Sequence, residues 1–221
     1  MFTKIEQILA PVKVNDLTTH LQQLTWEDGV RTGHKSMKKS EQITYSTKAA
    51  RPIINQLADL LLRDPKVYAF AQPKMMSRMM FSRYSEGMFY KSHNDAPITG
   101  GGGQGQGRAD VSFTVFLNPP DNYSGGELVL ESPMGEMQFK EAAGDAVFYD
   151  TGLTHRVEKV TDSSRLVIVG WMESWVQDPQ ARAIIRDLDD ALRLARNREL
   201  GSEESVRLSR IKGNLIRRWA R

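Results

Sequence analysis

The apolar positions of this chain follow two different periods, and the changes between them mark its organisation. In the first seventy-odd residues they recur at helical spacing. Leu17, Leu21 and Leu24 follow Asn15, a residue suited to an N-cap, and Ile53, Ile54, Leu57, Leu60, Leu61 and Leu62 follow Ser46-Thr47. Asp64-Pro65 ends the second run, because proline disfavours helical backbone in the residue before it. The stretch 27–42 between the runs is polar and rich in Gly, Lys and Ser, and is expected to be loop.

From about Lys74 the period changes to that of strands. Expected strands cover 79–84, 89–95, 111–117, 127–131, 137–140, 146–149, 155–160 and 165–171, separated by turn signals such as Ser124-Gly125-Gly126 and Ala143-Gly144-Asp145. Eight short strands at this spacing predict a mainly β fold with helical flanks, built on a double-stranded β-helix, or jelly roll. After Asp178-Pro179 the helical period returns, with one stripe through Ile184, Ile185, Leu188 and Leu192 and another through Val206, Leu208, Ile211 and Leu215. The expected division is an N-terminal helical flank over 1–75, a jelly-roll domain over 76–175 and a C-terminal helical segment over 176–221. The two C-terminal stripes are suited to packing on their own domain, and also to a homo-oligomer contact.

Composition narrows the chemistry. The 221 residues contain no cysteine, which excludes Fe–S clusters, thiolate zinc sites, disulfides and a cysteine nucleophile. The first residues lack the pattern of a secretory signal and no apolar run is long enough to span a bilayer, so a cytoplasmic protein without membrane partners is expected. The net charge of +3 is unevenly spread: 182–221 holds 11 Lys/Arg against 6 Asp/Glu, leaving 19 against 21 elsewhere. The basic tail interleaves acids and has Trp219 as its one aromatic residue, so it reads as a solvated helical face and a nucleic-acid partner is not expected.

The candidate chemistry lies at the strand ends. His93-Asn94-Asp95 places an imidazole and a carboxylate two residues apart, and residues two apart on a strand point the same way. With His155 from a second strand they make a 2-His-1-carboxylate set, which holds a non-haem Fe(II) on one face and leaves the other open. Arg165, ten residues after His155, adds a planar cation able to hold a carboxylate bidentately, and a hairpin is expected to bring it beside the strand of His155. Metal plus carboxylate clamp is the outline of an Fe(II)- and 2-oxoglutarate-dependent oxygenase. His20 and His34 have no carboxylate geometry around them and read as ordinary surface histidines. The glycine-rich tract over 100–107 lacks the Gly-Lys-Ser/Thr of a phosphate-binding loop and reads as a flexible connection or a mobile lid.

With these residues in hand, the chain resembles the prolyl 4-hydroxylase-like Fe(II)/2-oxoglutarate oxygenases, and within them the bacterial PKHD-type hydroxylases often associated with iron uptake. The resemblance rests on Arg83-Tyr84-x-x-Gly87, Tyr90-x-x-His93-x-Asp95, Phe116-Leu117-Asn118, Gly125-Gly126-Glu127-Leu128, Gly144-Asp145-Ala146, and His155-Arg156-Val157 with Arg165 ten residues on. It implies that His93, Asp95 and His155 bind Fe(II), that Arg165 binds the distal carboxylate of 2-oxoglutarate, and that Tyr84 helps to hold this cosubstrate. It implies O2 as second cosubstrate, admits ascorbate as an accessory cofactor, and points to hydroxylation of a small-molecule or peptide substrate with release of succinate and CO2. Three other readings stay open: a non-enzymatic iron or 2-oxoglutarate sensor of the same fold, a cupin-like zinc or manganese enzyme, and a nucleic-acid demethylase. The last typically carries a second arginine six residues after the clamp, where this chain has Trp171.

Overall fold

The two periods become two kinds of element in the computed structural model, which describes residues 1–221 apart from 33–35, 102, 103 and 200. The N-terminal third forms β1 (Phe2–Ile5), α1 (Pro11–Gln22), β2 (Glu27–Asp28), β3 (Lys38–Lys39), β4 (Glu41–Ile43), α2 (Arg51–Arg63) and α3 (Pro65–Ala71). Next come β5 (Pro73–Ser85), β6 (Phe89–His93), β7 (Ile98–Gly101), β8 (Gln104–Arg108) and β9 (Val111–Phe116). They are followed by β10 (Tyr123–Ser124), β11 (Leu128–Ser132), β12 (Gly135–Phe139), β13 (Ala146–Asp150), β14 (His155–Val157) and β15 (Asp162–Ser174). The chain continues into α4 (Pro179–Arg198) and α5 (Glu203–Trp219).

The larger sheet runs β1-β13-β9-β15-β5-β4-β2, with β10 also on β15, and the smaller runs β12-β11-β14-β6-β3. Each of the eight strands expected from alternation is present. β13, β9, β15 and β5 sit together in the large sheet and β12, β11, β14 and β6 in the small one, which is the double-stranded β-helix. Between the sheets lies an apolar layer of Phe116, Val147, Tyr149 and Val167 from one side and Leu128, Leu130 and Phe139 from the other. A larger core joins the outer face of the large sheet (Met79, Phe81, Phe113, Val115, Ile168) to α1–α3 through Leu17, Leu21, Ile54, Leu57 and Leu61. Burying each of these large side chains contributes roughly 1.5–3 kcal/mol.

Alternation along the central strands therefore sorts two apolar destinations. On β5, Met79 and Phe81 face the helices, while Met80, Ser82 and Tyr84 line a cavity between the sheets. On β15, Leu166 and Ile168 face the helices, while Arg165, Val169 and Trp171 line that cavity.

The structure departs from expectation at several points. The stretch 27–42 is not all loop: it supplies β2, β3 and β4, which add to both sheets. Such short polar strands are held by backbone pairing to a sheet edge and leave no side-chain period to read. Residues 1–75 thus bring strands as well as helices, β1 included. α1 starts earlier than the Asn15 cap suggests, with Pro11 in its first turn after Ala10, because proline is preorganised for that position. Asp64 does end α2, and its carboxylate then caps α3 by accepting from the amides of Lys66 and Val67. Part of the glycine-rich tract forms the hairpin β7–β8, while Gly102 and Gly103 lie outside the described residues. His34 lies outside them too.

At the C-terminus, Asp178 caps α4. Ile216 and Trp219 of α5 pack on Val176, Ala181 and Ile185, while Ile184, Leu194, Val206 and Ile211 remain exposed. Among the described residues no helix is long and apolar enough to cross a membrane.

Candidate active site

His93 is the last residue of β6 and His155 the first of β14, and the two are paired across these antiparallel strands. Asp95 lies two residues beyond the end of β6, so strand alternation does not fix its direction. Instead the carboxylate is held from the opposite sheet: the Ser112 hydroxyl donates to Asp95 Oδ2 at 2.9 Å and the Trp171 indole N–H donates to the same oxygen at 2.8 Å. Asn94, between the two ligand positions, donates to the Gly152 carbonyl at 3.1 Å and to Thr154 Oγ1 at 3.2 Å, tying this link to the turn before His155.

His93 Nε2 lies 3.7 Å from Asp95 Oδ1, and His155 Nε2 lies 3.5 Å from Asp95 Oδ2. One donor atom from each of the three residues falls within 4.8 Å of the others. Two donors held about 2.1 Å from one ion at a right angle are about 3 Å apart, so the observed 3.5 and 3.7 Å are somewhat wide and an ion would draw the donors slightly inward. The tautomers agree. His93 Nδ1 is 2.8 Å from the Lys91 carbonyl and His155 Nδ1 is 3.0 Å from the Leu153 carbonyl. A carbonyl only accepts, so each Nδ1 is the protonated nitrogen and each Nε2 keeps its lone pair for a metal. Burial lowers the His155 pKa, which favours the neutral ligand form. Burial alone would raise the Asp95 carboxyl, but His93, His155 and the Trp171 N–H outweigh it and hold it below the usual carboxylate value.

Arg165 sits six residues before Trp171 on β15, on the same face and roughly 20 Å of strand away. The sequence expectation of a hairpin beside His155 is corrected here: β15 pairs with β5 and β9 in the large sheet, and Arg165 reaches the site from across the cavity. The connection from β14 switches sheets, as jelly-roll connections do. Arg165 is 1% exposed, and none of its guanidinium nitrogens completes a hydrogen bond among the described residues. Its Cζ lies 5.4 Å from the Tyr84 ring, its register partner on β5, and 5.5 Å from the Phe116 ring. Burial lowers its pKa, while the phenols of Tyr84, Tyr123 and Tyr149 favour the charged form. The buried Tyr123 hydroxyl has no hydrogen-bond partner of full geometry, yet it lies close enough to the guanidinium to favour its charged form. An unsatisfied buried guanidinium costs several kcal/mol, so this end of the cavity is suited to a carboxylate. Burial pushes the Tyr84 phenol up to about 12, so it stays a neutral donor.

The structure therefore brings His93, Asp95 and His155 together at one end of a cavity, with Arg165 and Tyr84 lining the same cavity. His20, half-buried on α1, belongs to no such cluster among the described residues. Sequence reading missed Ser112, Asn94, Tyr123 and the bond made by Trp171. One signal was available for Ser112: in Val-Ser-Phe-Thr-Val-Phe, Ser112 and Thr114 interrupt an apolar strand at alternate positions, which marks one face as polar although the strand is buried throughout.

The profile of the 2OG-Fe(II) oxygenase superfamily matches residues 79–173. A PKHD-type hydroxylase of Picosynechococcus sp. is 37% identical over 223 residues, covering 100% of both chains. In fold, the chain is similar to a Pseudomonas putida prolyl-4-hydroxylase at TM-score 0.58 and 18% identity, covering 78% of this chain and 92% of that one. It is also similar to HygX from Streptomyces hygroscopicus, solved with nickel and 2-oxoglutarate, at TM-score 0.57 and 15% identity, covering 80% of this chain and 84% of that one.

Proposed function

We propose that this chain, which belongs to the PKHD-type hydroxylases of the 2OG-Fe(II) oxygenase superfamily, holds its Fe(II) on His93 Nε2, Asp95 Oδ1 and His155 Nε2 and takes the distal carboxylate of 2-oxoglutarate on Arg165. It is a dioxygenase using Fe(II), 2-oxoglutarate and O2. The substrate is a small molecule or a peptide, and the division into a central jelly-roll domain with N- and C-terminal flanks remains part of this reading. With the cosubstrates bound, the iron supplies the oxidising chemistry that couples decarboxylation of 2-oxoglutarate to succinate with hydroxylation of a substrate carbon.

The chain's own residues supply geometry. The Lys91 and Leu153 carbonyls fix both imidazoles with Nε2 toward the metal position. Ser112 and Trp171 occupy Asp95 Oδ2, leaving Oδ1 as the metal-facing oxygen. Arg165, with Tyr84 and Tyr123 near it, offers donors to a carboxylate in a water-poor setting where charge-assisted hydrogen bonds are strong. The observation that carries the reading is this buried, unsatisfied guanidinium in the cavity that also holds the three ligands.

An anaerobic absorption titration tests it. Adding Fe(II) and then 2-oxoglutarate to the wild type should give a visible charge-transfer band. His155→Ala should abolish the band, and Arg165→Met should weaken 2-oxoglutarate binding about 100-fold, the effect of removing one partner of a buried charge pair. No band from a folded, metal-loaded wild type would overturn the assignment.

A further inference from the structure

Among the described residues three tyrosines line the cavity: Tyr84, Tyr90 and Tyr149. Tyr149 is 3% exposed and stands on β13 opposite Ser112 of β9, the residue that donates to Asp95. From the other sheet the His155 imidazole meets its ring edge to face, with centroids 5.1 Å apart. Neighbours in both sheets thus place Tyr149 at the metal end. Charge locates its hydroxyl along the cavity. Burial raises the pKa of all three phenols, but the charges that reach them differ. At Tyr84 the charge of Arg165 is felt more strongly than that of Asp95, and at Tyr149 the order is reversed. At Tyr90, stacked on His93, Asp95 is the charge that is felt. The Tyr149 phenol therefore lies between the guanidinium and the metal set, nearer the latter.

We propose that Tyr149 is a cosubstrate-binding residue, its hydroxyl donating to the C1 carboxylate of 2-oxoglutarate, the end that meets the metal. This rests on the preceding assignment of metal and cosubstrate and adds a donor to it. The donors already placed leave that carboxylate unserved. The Trp171 N–H is taken by Asp95 Oδ2, and the single hydrogen of Ser112 reaches Asp95 Oδ2 and Thr151 Oγ1. Arg165, with Tyr84 as its register partner, belongs to the distal carboxylate. The Tyr149 hydroxyl, by contrast, completes no hydrogen bond of full geometry among the described residues, although Ser112 lies near enough to be felt there. Ser112 has no further hydrogen to give, so the hydrogen of the phenol can turn to an acceptor in the cavity. A buried hydroxyl is rarely left without such a partner. A carboxylate that binds a metal through one oxygen keeps lone pairs for this donor.

The test uses the zinc-loaded full chain, so that binding is read without turnover. Ligand-observed NMR follows 2-oxoglutarate and pyruvate in wild type, Tyr149→Phe and Arg165→Met. Pyruvate keeps the keto group and the metal-end carboxylate but lacks the distal one. A wild type that binds zinc but not 2-oxoglutarate overturns the preceding reading, and this proposal with it. Tyr149→Phe is expected to weaken both ligands by the same factor, about tenfold or more, as loss of a hydrogen bond to a charged group does. Arg165→Met should weaken 2-oxoglutarate alone. Zinc affinity, read by chelator competition, should be unchanged in Tyr149→Phe, whereas a phenol serving only to support Ser112 and Asp95 would weaken it when lost. Both ligands bound as in wild type, a loss confined to 2-oxoglutarate, or a loss matched by weaker zinc binding overturns the proposal. If Tyr149→Phe does not fold, Tyr149→Met, which also lacks the donor, takes its place.

Discussion

At the residue scale, Asp95 shows how a carboxylate able to hold a metal is placed by side chains far away in sequence. Its strand has ended before it, and its direction comes from Ser112 on β9 and Trp171 on β15. Trp171 thus stands, with an N–H donor to the Asp95 carboxylate, at the position six residues after Arg165. We expect Trp171→Phe to keep the ring's packing, lose the donor, and weaken metal affinity about 10–100-fold, as losses of such outer partners do. A competitive chelator titration checks this, and unchanged affinity would show that Ser112 alone orients the carboxylate.

At the scale of elements, the two ends of β15 are shaped by different neighbours: the turn before β11 beside Arg165, and the hairpin β7–β8 beside Glu173. The turn before β11 needs Gly126 at φ +72°, where an added Cβ would meet Val160 Cγ2 at 3.0 Å and Arg165 Cδ at 3.2 Å. Gly135, at φ +119°, has nothing within 4 Å. Both Gly→Ala changes should cost about 1 kcal/mol or more in backbone strain. Only Gly126→Ala should also weaken 2-oxoglutarate binding, by crowding Arg165; calorimetric titration of both variants separates the two effects. The second element is the hairpin β7–β8, anchored where the Arg108 amide donates to Glu173 Oε2 at 3.1 Å and Lys74 Nζ donates to Oε1 at 3.0 Å. Burial alone would raise the Glu173 carboxyl, but Lys74 and Arg108 outweigh it and hold it below its ordinary 4.5. A depressed carboxylate stabilises the fold above its unfolded pKa and loses that contribution as pH falls through the folded one. Glu173→Gln should therefore lower Tm at pH 7 by roughly 4–8 °C, from about 2 kcal/mol of charge-assisted hydrogen bonding. The gap to wild type should close as pH falls below 4.5, and a gap independent of pH would refute the role.

At the scale of the whole molecule, one core joins the N-terminal helices to the outer face of the large sheet, while the cavity lies on that sheet's other face. Ligand binding should thus be felt as global stability. At a hundredfold excess over Kd, a ligand adds about 2.7 kcal/mol, which in a chain of this size raises Tm by roughly 5–10 °C. Zinc should give one increment and 2-oxoglutarate a second. EDTA should remove both, and Arg165→Met the second alone.

The periods of Met79-Met80-Phe81, Val111 to Phe116 and Leu166 to Trp171 were enough to predict eight strands and a jelly roll, because alternation follows directly from which face is buried. That His93, Asp95 and His155 would meet, with Arg165 lining the same cavity, was legible from their order along the chain and their places at strand ends; the structure brings them together there. Tertiary structure alone decided the rest. β2, β3 and β4 form because a sheet edge offers backbone partners, a fact no side chain of 27–42 records. Arg165 faces the metal set from the opposite sheet because the chain crosses between sheets after β14, and sequence spacing cannot tell a crossing from a hairpin. Asp95 points where it does, and Lys38 lines the cavity, through contacts between segments some twenty to eighty residues apart, and such pairings have no local energy for a sequence pattern to express.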